Sequence, residues 1–263
     1  MNSEHPHPVP DLQHVLPEIP QEQRFWRLYV FPAWQGMFQS LADVRALLAL
    51  LAHPEQVIQQ NSRGEVFLVR YQDMRFVAKR SLLQENRRWT QFTSLYRSGE
   101  SGRMMRNMAK LYELGLPVPE PVLALEKRRF GVVVVSWSVY RYLEGTPCTC
   151  AQARPIARML KTLHQHGWVH RDPHVKNFLL HDGEIQILDC ARARPWKSTY
   201  AQMYDLVLLE KCCSGSQSLA GYGIGERAWM YRLAKLQNLQ IQRWRRVKRQ
   251  ARAFWHGYRS TGF

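Results

Sequence analysis

The chain has 263 residues, of which 45% are hydrophobic and 22% are charged, and this composition excludes collagen, a disulfide-rich scaffold and wholesale disorder. The length suits one large domain or two smaller lobes, each with a hydrophobic core. The formal net charge of +16 favours anionic partners such as nucleic acid, acidic lipid or a phosphorylated glycan.

The first half of the chain is predicted to be rich in strands. Residues 1–23 contain five prolines and are predicted to form a flexible tail, because proline at this density blocks both helix and sheet. The elements predicted next are short strands at 56–60, 65–71 and 75–80, a helix at 84–114 with a break near 99–102, and a hairpin with strands 122–126 and 131–143 around a turn at 127–130.

The second half is predicted to be mostly helical. Its elements are a helix at 151–166, two short strands at 178–180 and 185–188, and helical structure from about 202 onward, interrupted by a glycine-rich stretch at 214–225. The order of elements indicates an α+β fold with two lobes. We therefore divide the chain into a tail (1–23), an N-lobe (24–143) and a C-lobe (144–263).

The strongest chemical signal is the segment from His170 to Asn177, which reads H-R-D-x-x-x-x-N. A second acid, Asp189, follows on a predicted strand, and Lys79 closes an earlier predicted strand. Phosphoryl transfer needs a carboxylate to orient and deprotonate the attacking hydroxyl, oxygen ligands for Mg²⁺ and a cation for the phosphates. The candidates for these roles are Asp172 as base, Asn177 and Asp189 as metal ligands, and Lys79 as the phosphate-binding lysine.

This set of residues resembles the protein-kinase-like fold over about residues 56–210, with several departures. There is no G-x-G-x-x-G, and Gly64 would be the one glycine of a shortened phosphate loop. The D-F-G position reads Asp-Cys-Ala from Asp189, and no A-P-E follows. The acidic partner of Lys79 stays open among Glu85, Glu100 and Glu113. These departures favour a small-molecule or glycan kinase over a regulated protein kinase.

Within that group, residues 163–169 followed by Asp-Pro-His at 172–174 resemble the bacterial lipopolysaccharide core kinases, closest to the heptose(II) kinase type. The Leu-Pro-Val-Pro-Glu-Pro run at 116–121 is similar to the wider Kdo/heptose kinase group. The resemblance implies ATP- and Mg²⁺-dependent phosphorylation of a sugar hydroxyl, heptose favoured, in the lipopolysaccharide inner core. It also implies an adenine hinge formed by the backbone of Arg141, Tyr142 and Leu143, and a catalytic loop supported by His170, Arg171 and His174.

The last part of the chain is strongly basic, because residues 227–263 hold ten lysines or arginines and no acid. Apolar residues recur there at three- and four-residue spacing, at positions 244, 247, 251, 254 and 258, which predicts a basic amphipathic helix. Either the apolar stripe packs on the C-lobe or it lies in an anionic membrane interface. The residues predicted to meet the membrane or an anionic substrate are Arg243, Arg245, Arg246, Lys248, Arg249 and Arg252.

The five cysteines contain no CxxC pair and are predicted to be reduced thiols. The first twenty residues lack the apolar region of a signal peptide, and the longest apolar runs, 46–52 and 131–135, are far shorter than the roughly 20 residues of a membrane-spanning helix. We therefore expect a cytoplasmic protein, and the resemblance to the lipopolysaccharide core kinases implies that it works as a peripheral protein on the inner face of the inner membrane.

Three alternative functions stay open: a Kdo kinase, a cytosolic small-molecule phosphotransferase, and a pseudokinase that binds lipid or RNA. Nucleic acid is not the expected partner, because the sequence contains no recognised nucleic-acid-binding motif and such a partner would leave the kinase residues unexplained.

Overall fold

The computed structural model describes residues 26–62, 64–82, 99–224 and 228–260. The chain divides into two compact units. Unit 1 consists of Met1–Gly145 and Gln186–Ala191, and unit 2 consists of Thr146–Ile185 and Arg192–Phe263. The tail predicted at 1–23 and most of the first half of the helix predicted at 84–114 lie outside the described residues.

Unit 1 is built on a six-stranded antiparallel sheet. Its strands are β1 (Trp26–Val30), β2 (Gln56–Asn61), β3 (Gly64–Tyr71), β4 (Met74–Ser81), β5 (Pro121–Arg129) and β6 (Val132–Arg141). Their order in space is β1-β5-β6-β4-β3-β2, so β4 is an interior strand. The five strands predicted in this part of the chain are confirmed, but the β5–β6 turn lies at Phe130 and Gly131, both with positive φ, and not at 127–130.

Residues 24–55 contain two elements that the sequence analysis did not assign, β1 and helix α1 (Leu41–Ala49). Ser40 caps α1: its Oγ accepts a hydrogen bond from the N–H of Asp43, and the Asp43 carboxylate accepts one from the N–H of Ser40 at 2.8 Å. The buried side chains of α1 join those of the sheet in one core, which includes Trp34, Phe38, Val44, Leu47, Leu51, Phe67, Phe76, Leu123 and Trp137.

The second helix of unit 1, α2 (Glu100–Glu113), packs on β5 and β6. It buries Met104, Met105, Met108 and Leu111, a spacing that places these side chains on one helical face. Residues 186–191 come from the second half of the chain and join this unit, where the N–H of Ile187 donates to the carbonyl oxygen of Pro117 at 2.8 Å.

Unit 2 is mostly helical. Its helices are α3 (Ala153–Gln165), α4 (Thr199–Cys212), α5 (Ser218–Tyr222) and α6 (Trp229–Ser260). The short strands of the second half are β7 (Thr146–Pro147), β8 (Trp168–Val169), β9 (Phe178–His181), β10 (Glu184–Ile187) and β11 (Arg194–Pro195). A β-rich unit 1 and a helical unit 2 confirm the predicted α+β class.

Helix α4 ends at Cys212 and α6 begins at Trp229, in line with the predicted interruption at 214–225, but within this stretch the structure adds the short helix α5. Helix α5 packs closely against α3, because a Cβ atom on Gly221 would lie 2.4 Å from the carbonyl oxygen of Arg154. The glycine that suggested a break in the sequence is therefore the residue that allows two helices to approach each other.

Helix α6 contacts α4 through its first turns, where Tyr231, Ala234 and Asn238 are buried and the Tyr231 hydroxyl donates to Glu210. From Arg243 to Ala251 every side chain is exposed. The apolar stripe that the sequence predicted is therefore not packed at 244, 247 and 251, and the side chains of 252, 254 and 258 lie outside the described residues. Within the described ranges, no helix is both long and apolar enough to cross a bilayer.

The prediction that all five cysteines are reduced thiols is wrong for two of them. Cys150, next to β7, and Cys213, at the end of α4, form a disulfide with their Cα atoms 5.2 Å apart. The two residues are separated by 63 positions, so their proximity depends on the packing of unit 2 and no local spacing indicates it. Cys148, Cys190 and Cys212 are free.

Removing this disulfide is expected to destabilise the oxidised protein. Cys150→Ser should lower the free energy of unfolding by about 2–4 kcal/mol, because the cross-link restricts the unfolded chain over a long loop. Urea unfolding with and without dithiothreitol measures the effect, with Cys212→Ser as the matched control that leaves the disulfide intact. A wild-type protein whose unfolding midpoint is insensitive to reductant would contradict the prediction.

Candidate active site

Lys79 is held on an interior strand of the unit 1 sheet. On β4 its backbone pairs with Val66 on one side and Ser138 on the other. Its Nζ lies 2.8 Å from Oδ2 of Asp189, so the structure brings two of the predicted site residues into an ion pair. Both side chains are partly exposed, at 25% and 30%.

The surroundings of Lys79 keep its ammonium group charged. Burial lowers the pKa of Lys79, but the charges of Asp189, Tyr140 and Glu100 and the hydrogen bond to Asp189 outweigh burial, so the pKa is raised above its usual value. Burial, with Asp189 and Cys190 nearby, raises the pKa of Tyr140 to about 12 despite the opposing charge of Lys79. Lys79 is therefore a permanent cation beside a neutral phenol.

Glu100 is the acid of α2 that interacts electrostatically with Lys79. It opens the helix, and its Oε2 accepts a hydrogen bond from Ser81 Oγ, two residues after the lysine, at 2.5 Å. Glu113 lies exposed at the other end of α2, and Glu85 lies outside the described residues. Of the two candidate acids within the described residues, Glu100 and Glu113, Glu100 is thus the one that raises the pKa of Lys79.

Helix α2 also anchors the segment that carries Asp189. Asn107 Nδ2 donates to the carbonyl oxygen of Cys190 at 2.8 Å, and Arg103 Nε donates to that of Ala191 at 2.9 Å. The N–H of Ala191 in turn donates to Asp189 Oδ1 at 3.0 Å. The sequence analysis did not identify Arg103 and Asn107, although their spacing of four residues places them on one helical face.

The two predicted nucleotide-binding segments of unit 1 take part in its own hydrogen bonding. Gly64 opens β3 where a Cβ atom would lie 2.8 Å from the carbonyl oxygen of Arg80, so a glycine is required for the close approach to β4. The N–H groups of Arg141 and Tyr142 donate to the carbonyl oxygens of Glu120 and Arg75 at 2.9 and 3.0 Å. These two amides are therefore engaged by the protein, and the roles of Gly64, Arg141, Tyr142 and Leu143 toward a nucleotide stay predictions.

In unit 2, the loop from His170 to Asn177 is fixed by a buried carboxylate on α4. Asp205 Oδ2 accepts a hydrogen bond from the N–H of His170 and Oδ1 accepts one from the N–H of Arg171, both at 2.7 Å. His164 Nε2, on α3, lies 3.1 Å from the same Oδ2, and its Nδ1 lies 2.8 Å from the Tyr222 hydroxyl on α5. Three helices therefore meet at one acid, which holds the start of the loop.

Arg171 takes an unusual backbone conformation at this anchor. Its φ of 66° is in the left-handed region, which costs energy for a residue with a side chain. The hydrogen bond from its N–H to Asp205 helps to maintain that conformation, and the turn leads directly into Asp172. Asp205, His164 and Tyr222 were not identified from the sequence, because nothing local in α4 indicates which backbone groups an aspartate will reach.

The rest of the loop is closed by short hydrogen bonds within it. The carbonyl oxygen of Asp172 accepts bonds from the His174 N–H at 2.7 Å and from Asn177 Nδ2 at 2.8 Å. His174 Nδ1 accepts the N–H of Lys176, which caps the short 3₁₀ helix Val175–Asn177. The half-exposed carboxylate of Asp172 takes no part in these bonds, and it pairs with Arg192 at 3.3 Å.

Asn177 and Asp189 carry the atom types that Mg²⁺ prefers. The amide nitrogen of Asn177 is used by the Asp172 carbonyl, which makes Oδ1 its free ligand atom, and Asp189 offers a carboxylate. Each of the two predicted ligands therefore offers an oxygen atom of the kind that suits a hard cation. In the part of the chain that the structure describes, no three His, Cys, Asp or Glu side chains gather into a metal site.

A family model described as the lipopolysaccharide kinase (Kdo/WaaP) family matches residues 70–230. The chain belongs to this family. The match extends over Lys79, Asp172, Asn177 and Asp189. The protein is thus a phosphotransferase that uses ATP and acts on a sugar of the lipopolysaccharide core, and the predicted resemblance is confirmed at this level.

The chain is also similar to a solved structure described as WaaP in complex with acyl carrier protein. The sequence identity is 18% and the TM-score 0.49, over 80% of this chain and 98% of that chain. A likeness at this level carries no argument about the site or its partners.

Asp205→Asn is expected to impair both stability and catalysis. The amide would place its NH₂ group among N–H donors and leave a buried donor unpaired, so the free energy of unfolding should fall by about 1–3 kcal/mol and kcat should fall with it. Chemical unfolding and kinase assays measure the two effects, with Asp182→Asn on the exposed β9–β10 turn as control. Wild-type kcat in a folded Asp205→Asn protein would show that the loop does not depend on this carboxylate.

Proposed function

We propose that the protein transfers the terminal phosphoryl group of ATP to a sugar hydroxyl of the lipopolysaccharide inner core, with heptose favoured over Kdo. The observation that carries this proposal is the loop from His170 to Asn177, whose backbone is held by buried Asp205 while the Asp172 carboxylate stays half-exposed. A rigid loop that presents an accessible carboxylate is what positioning an acceptor hydroxyl requires.

Asp172 would act on the acceptor in one step. Its carboxylate accepts a hydrogen bond from the sugar hydroxyl and takes its proton as the sugar oxygen bonds to the γ-phosphorus. The bond from that phosphorus to the bridging oxygen breaks, and ADP leaves. A positioned general base of this kind contributes about 10²–10⁴-fold to the rate.

Lys79, Asn177 and Asp189 would serve the nucleotide. The raised pKa of Lys79 keeps a positive charge available for the phosphates. Asn177 and Asp189 would hold Mg²⁺, which when bound neutralises charge on the phosphate oxygens. In the structure Lys79 and Asp189 neutralise each other, so nucleotide binding would exchange one set of charge pairs for another.

The choice of heptose rests on the resemblance of residues 163–169 and 172–174 to the heptose(II) kinase type, and a Kdo kinase is the alternative within the same family. The reading as a lipid- or RNA-binding pseudokinase is disfavoured, because Lys79, Asp172, Asn177 and Asp189 are all present. A soluble small-molecule acceptor is the remaining alternative.

We also propose that α6 holds the protein at the cytoplasmic face of the inner membrane. Helix α6 carries an exposed apolar stripe, which consists of Trp229, Leu233, Leu236, Trp244 and Val247. Their spacing places these side chains on one face of the helix, opposite the face that buries Tyr231 and Ala234. Tryptophans among aliphatic residues suit the interface of a bilayer. Two of the five, Trp244 and Val247, are 65% and 61% exposed.

The charges of α6 favour an anionic surface over a neutral one. A groove of about 460 Å³ is lined by Lys211 of α4 and by five residues of α6, namely Gln242 and the cations Arg245, Arg246, Lys248 and Arg249. The groove lies on the side of α6 that faces α4, opposite the apolar stripe, so its cations would attract an anionic surface through their long-range field and not by direct contact.

The catalytic proposal is tested by the mass of the lipopolysaccharide core from strains with the gene deleted, restored as wild type, and restored as Asp172→Asn. One added phosphate should appear with the wild type only, because the variant lacks the proton acceptor. Purified Asp172→Asn should show kcat lowered by about 10²–10⁴-fold.

Asp182→Asn provides the matched control and should restore the phosphate. Fragmentation of the core then identifies heptose or Kdo as the acceptor. Identical core masses in all strains would exclude the proposed acceptor, and soluble acceptors would be screened next.

The membrane proposal is tested by flotation of the purified protein with vesicles of phosphatidylcholine alone or with anionic phosphatidylglycerol. Binding should need the anionic lipid and weaken with salt. Trp244→Ser with Val247→Ser should reduce binding without unfolding the protein, because both side chains are exposed. Phe130→Ser, which removes an exposed aromatic residue of unit 1, is the control, and equal flotation of all variants would contradict the assignment to α6.

A further inference from the structure

Three arginines are gathered beside Asp172 by a short strand ladder in unit 2. Strand β11 pairs antiparallel with β8, with Arg194 opposite Val169. The N–H of Trp196 extends the ladder by donating to the Gly167 carbonyl oxygen at 2.8 Å. Arg171 lies two residues beyond the end of β8 and Arg192 two residues before the start of β11, and the charges of both Arg192 and Arg194 act on Arg171, so the start of the catalytic loop and the segment after Asp189 carry their cations to one place.

The charges at this place do not balance. Burial lowers the pKa of Arg171, and the positive charges of Arg194 and Arg192 lower it further, against a smaller opposing effect of Asp205. Arg192 pairs with Asp172 at 3.3 Å, whereas Arg171 and Arg194 form no ion pair within the described part of the chain. A fold gains nothing from bringing three guanidinium groups together unless an anion offsets their repulsion.

The guanidinium group of Arg194 is arranged to bind a ligand. Its Cζ lies 3.9 Å from the centroid of the Trp196 ring, so the plane of the group is held by stacking. Its Nε is buried and has no hydrogen-bond partner among the described residues. Stacking leaves the donors at the edge of a guanidinium free for a planar or tetrahedral oxyanion.

We propose that Arg171, Arg192 and Arg194 bind an anionic group, a phosphate or a carboxylate, that the acceptor carries close to the hydroxyl to be phosphorylated. This inference rests on the proposed function and specifies its substrate class: the acceptor is already anionic. Because Arg192 contacts the Asp172 carboxylate, an anion bound to Arg192 lies within a few ångströms of the reacting hydroxyl.

The same contact gives the anion a second effect. In the structure Arg192 forms an ion pair with the Asp172 carboxylate. An acceptor anion competes for Arg192, so the acceptor that fits the arginines also releases the base that acts on it. A neutral sugar would bind without that release, which makes the arginines a determinant of specificity.

The test uses lipopolysaccharide from a strain that lacks this kinase, either untreated, treated with phosphatase, or with its carboxyl groups reduced. Initial rates are measured at saturating ATP for wild type, Arg192→Gln, Arg194→Gln and Arg194→Lys. Arg158→Gln, which removes an exposed arginine of α3, is the matched control. Thermal unfolding of each variant establishes that it is folded.

For the wild type and Arg158→Gln, one of the two treatments should lower kcat/KM by about 10- to 100-fold, the loss expected for a charged hydrogen-bonded contact. That treatment identifies the anion as phosphate or carboxylate. Arg192→Gln and Arg194→Gln should show the loss on untreated acceptor and little further loss on the treated one. Arg194→Lys should recover part of the lost kcat/KM, because lysine keeps the positive charge but lacks the paired N–H donors of the guanidinium group. Equal sensitivity to treatment in Arg194→Gln and wild type would overturn the inference.

Failure of the proposed function gives a different result. If the wild type transfers phosphate to no preparation, binding of the same three preparations to nucleotide-free protein is compared by sedimentation. Weaker binding of untreated acceptor by Arg194→Gln than by Arg158→Gln would then support the arginine site alone. Equal binding would overturn it.

Discussion

The carboxylate of Asp205 is the group on which the reactive loop of unit 2 depends. It is buried, and it accepts the N–H groups of His170 and Arg171 while His164 lies within hydrogen-bond distance. A buried carboxylate is stable only when donors surround it, and buried backbone amides need an acceptor, so each side satisfies the other. Because two of the donors are consecutive backbone groups, they fix the path of the chain into Asp172 and not merely its position. The left-handed backbone of Arg171 is one consequence of that path.

In unit 1 a helix, α2, holds the irregular segment that carries a predicted site residue. The segment that carries Asp189 has little secondary structure of its own, and α2 holds it through Arg103 and Asn107. The acid then pairs with Lys79, whose strand is fixed on both sides by the sheet. In both units, therefore, the acids expected to act on ligands, Asp172 and Asp189, sit on irregular segments, and regular elements supply the bonds that hold those segments. Irregular backbone gives the side chains access, and the helices and strands give them precision.

The sequence was informative where the determining contacts are local. Short runs separated by turn residues predicted β2, β3 and β4, and the H-R-D-x-x-x-x-N pattern identified a loop in which several hydrogen bonds join residues close in the chain. A local signal was also overlooked, because Ser40 and Asp43 form a capping box at the start of α1. Other features depend on partners far along the chain. Asp205 reaches backbone groups more than 30 residues away, and Cys150 pairs with Cys213 across 63 positions. Such contacts follow from how helices pack, which spacing in a single sequence does not encode.

The outer part of α6 has a further consequence for the state of the free protein. After Asn238 this helix has no fully buried side chain in the described range, and its cations recur one turn apart, as in Arg245 and Arg249. Like charges at that spacing cost a helix a few tenths of a kcal/mol per pair, and a helical segment without tertiary packing is marginal in water. The outer turns of α6 are therefore governed by a helix–coil equilibrium, which ionic strength and any bound polyanion shift toward the helix. The helical content of this segment and the fraction of protein with a polyanion bound in its basic groove should therefore rise together, so a measurement of one reports on the other.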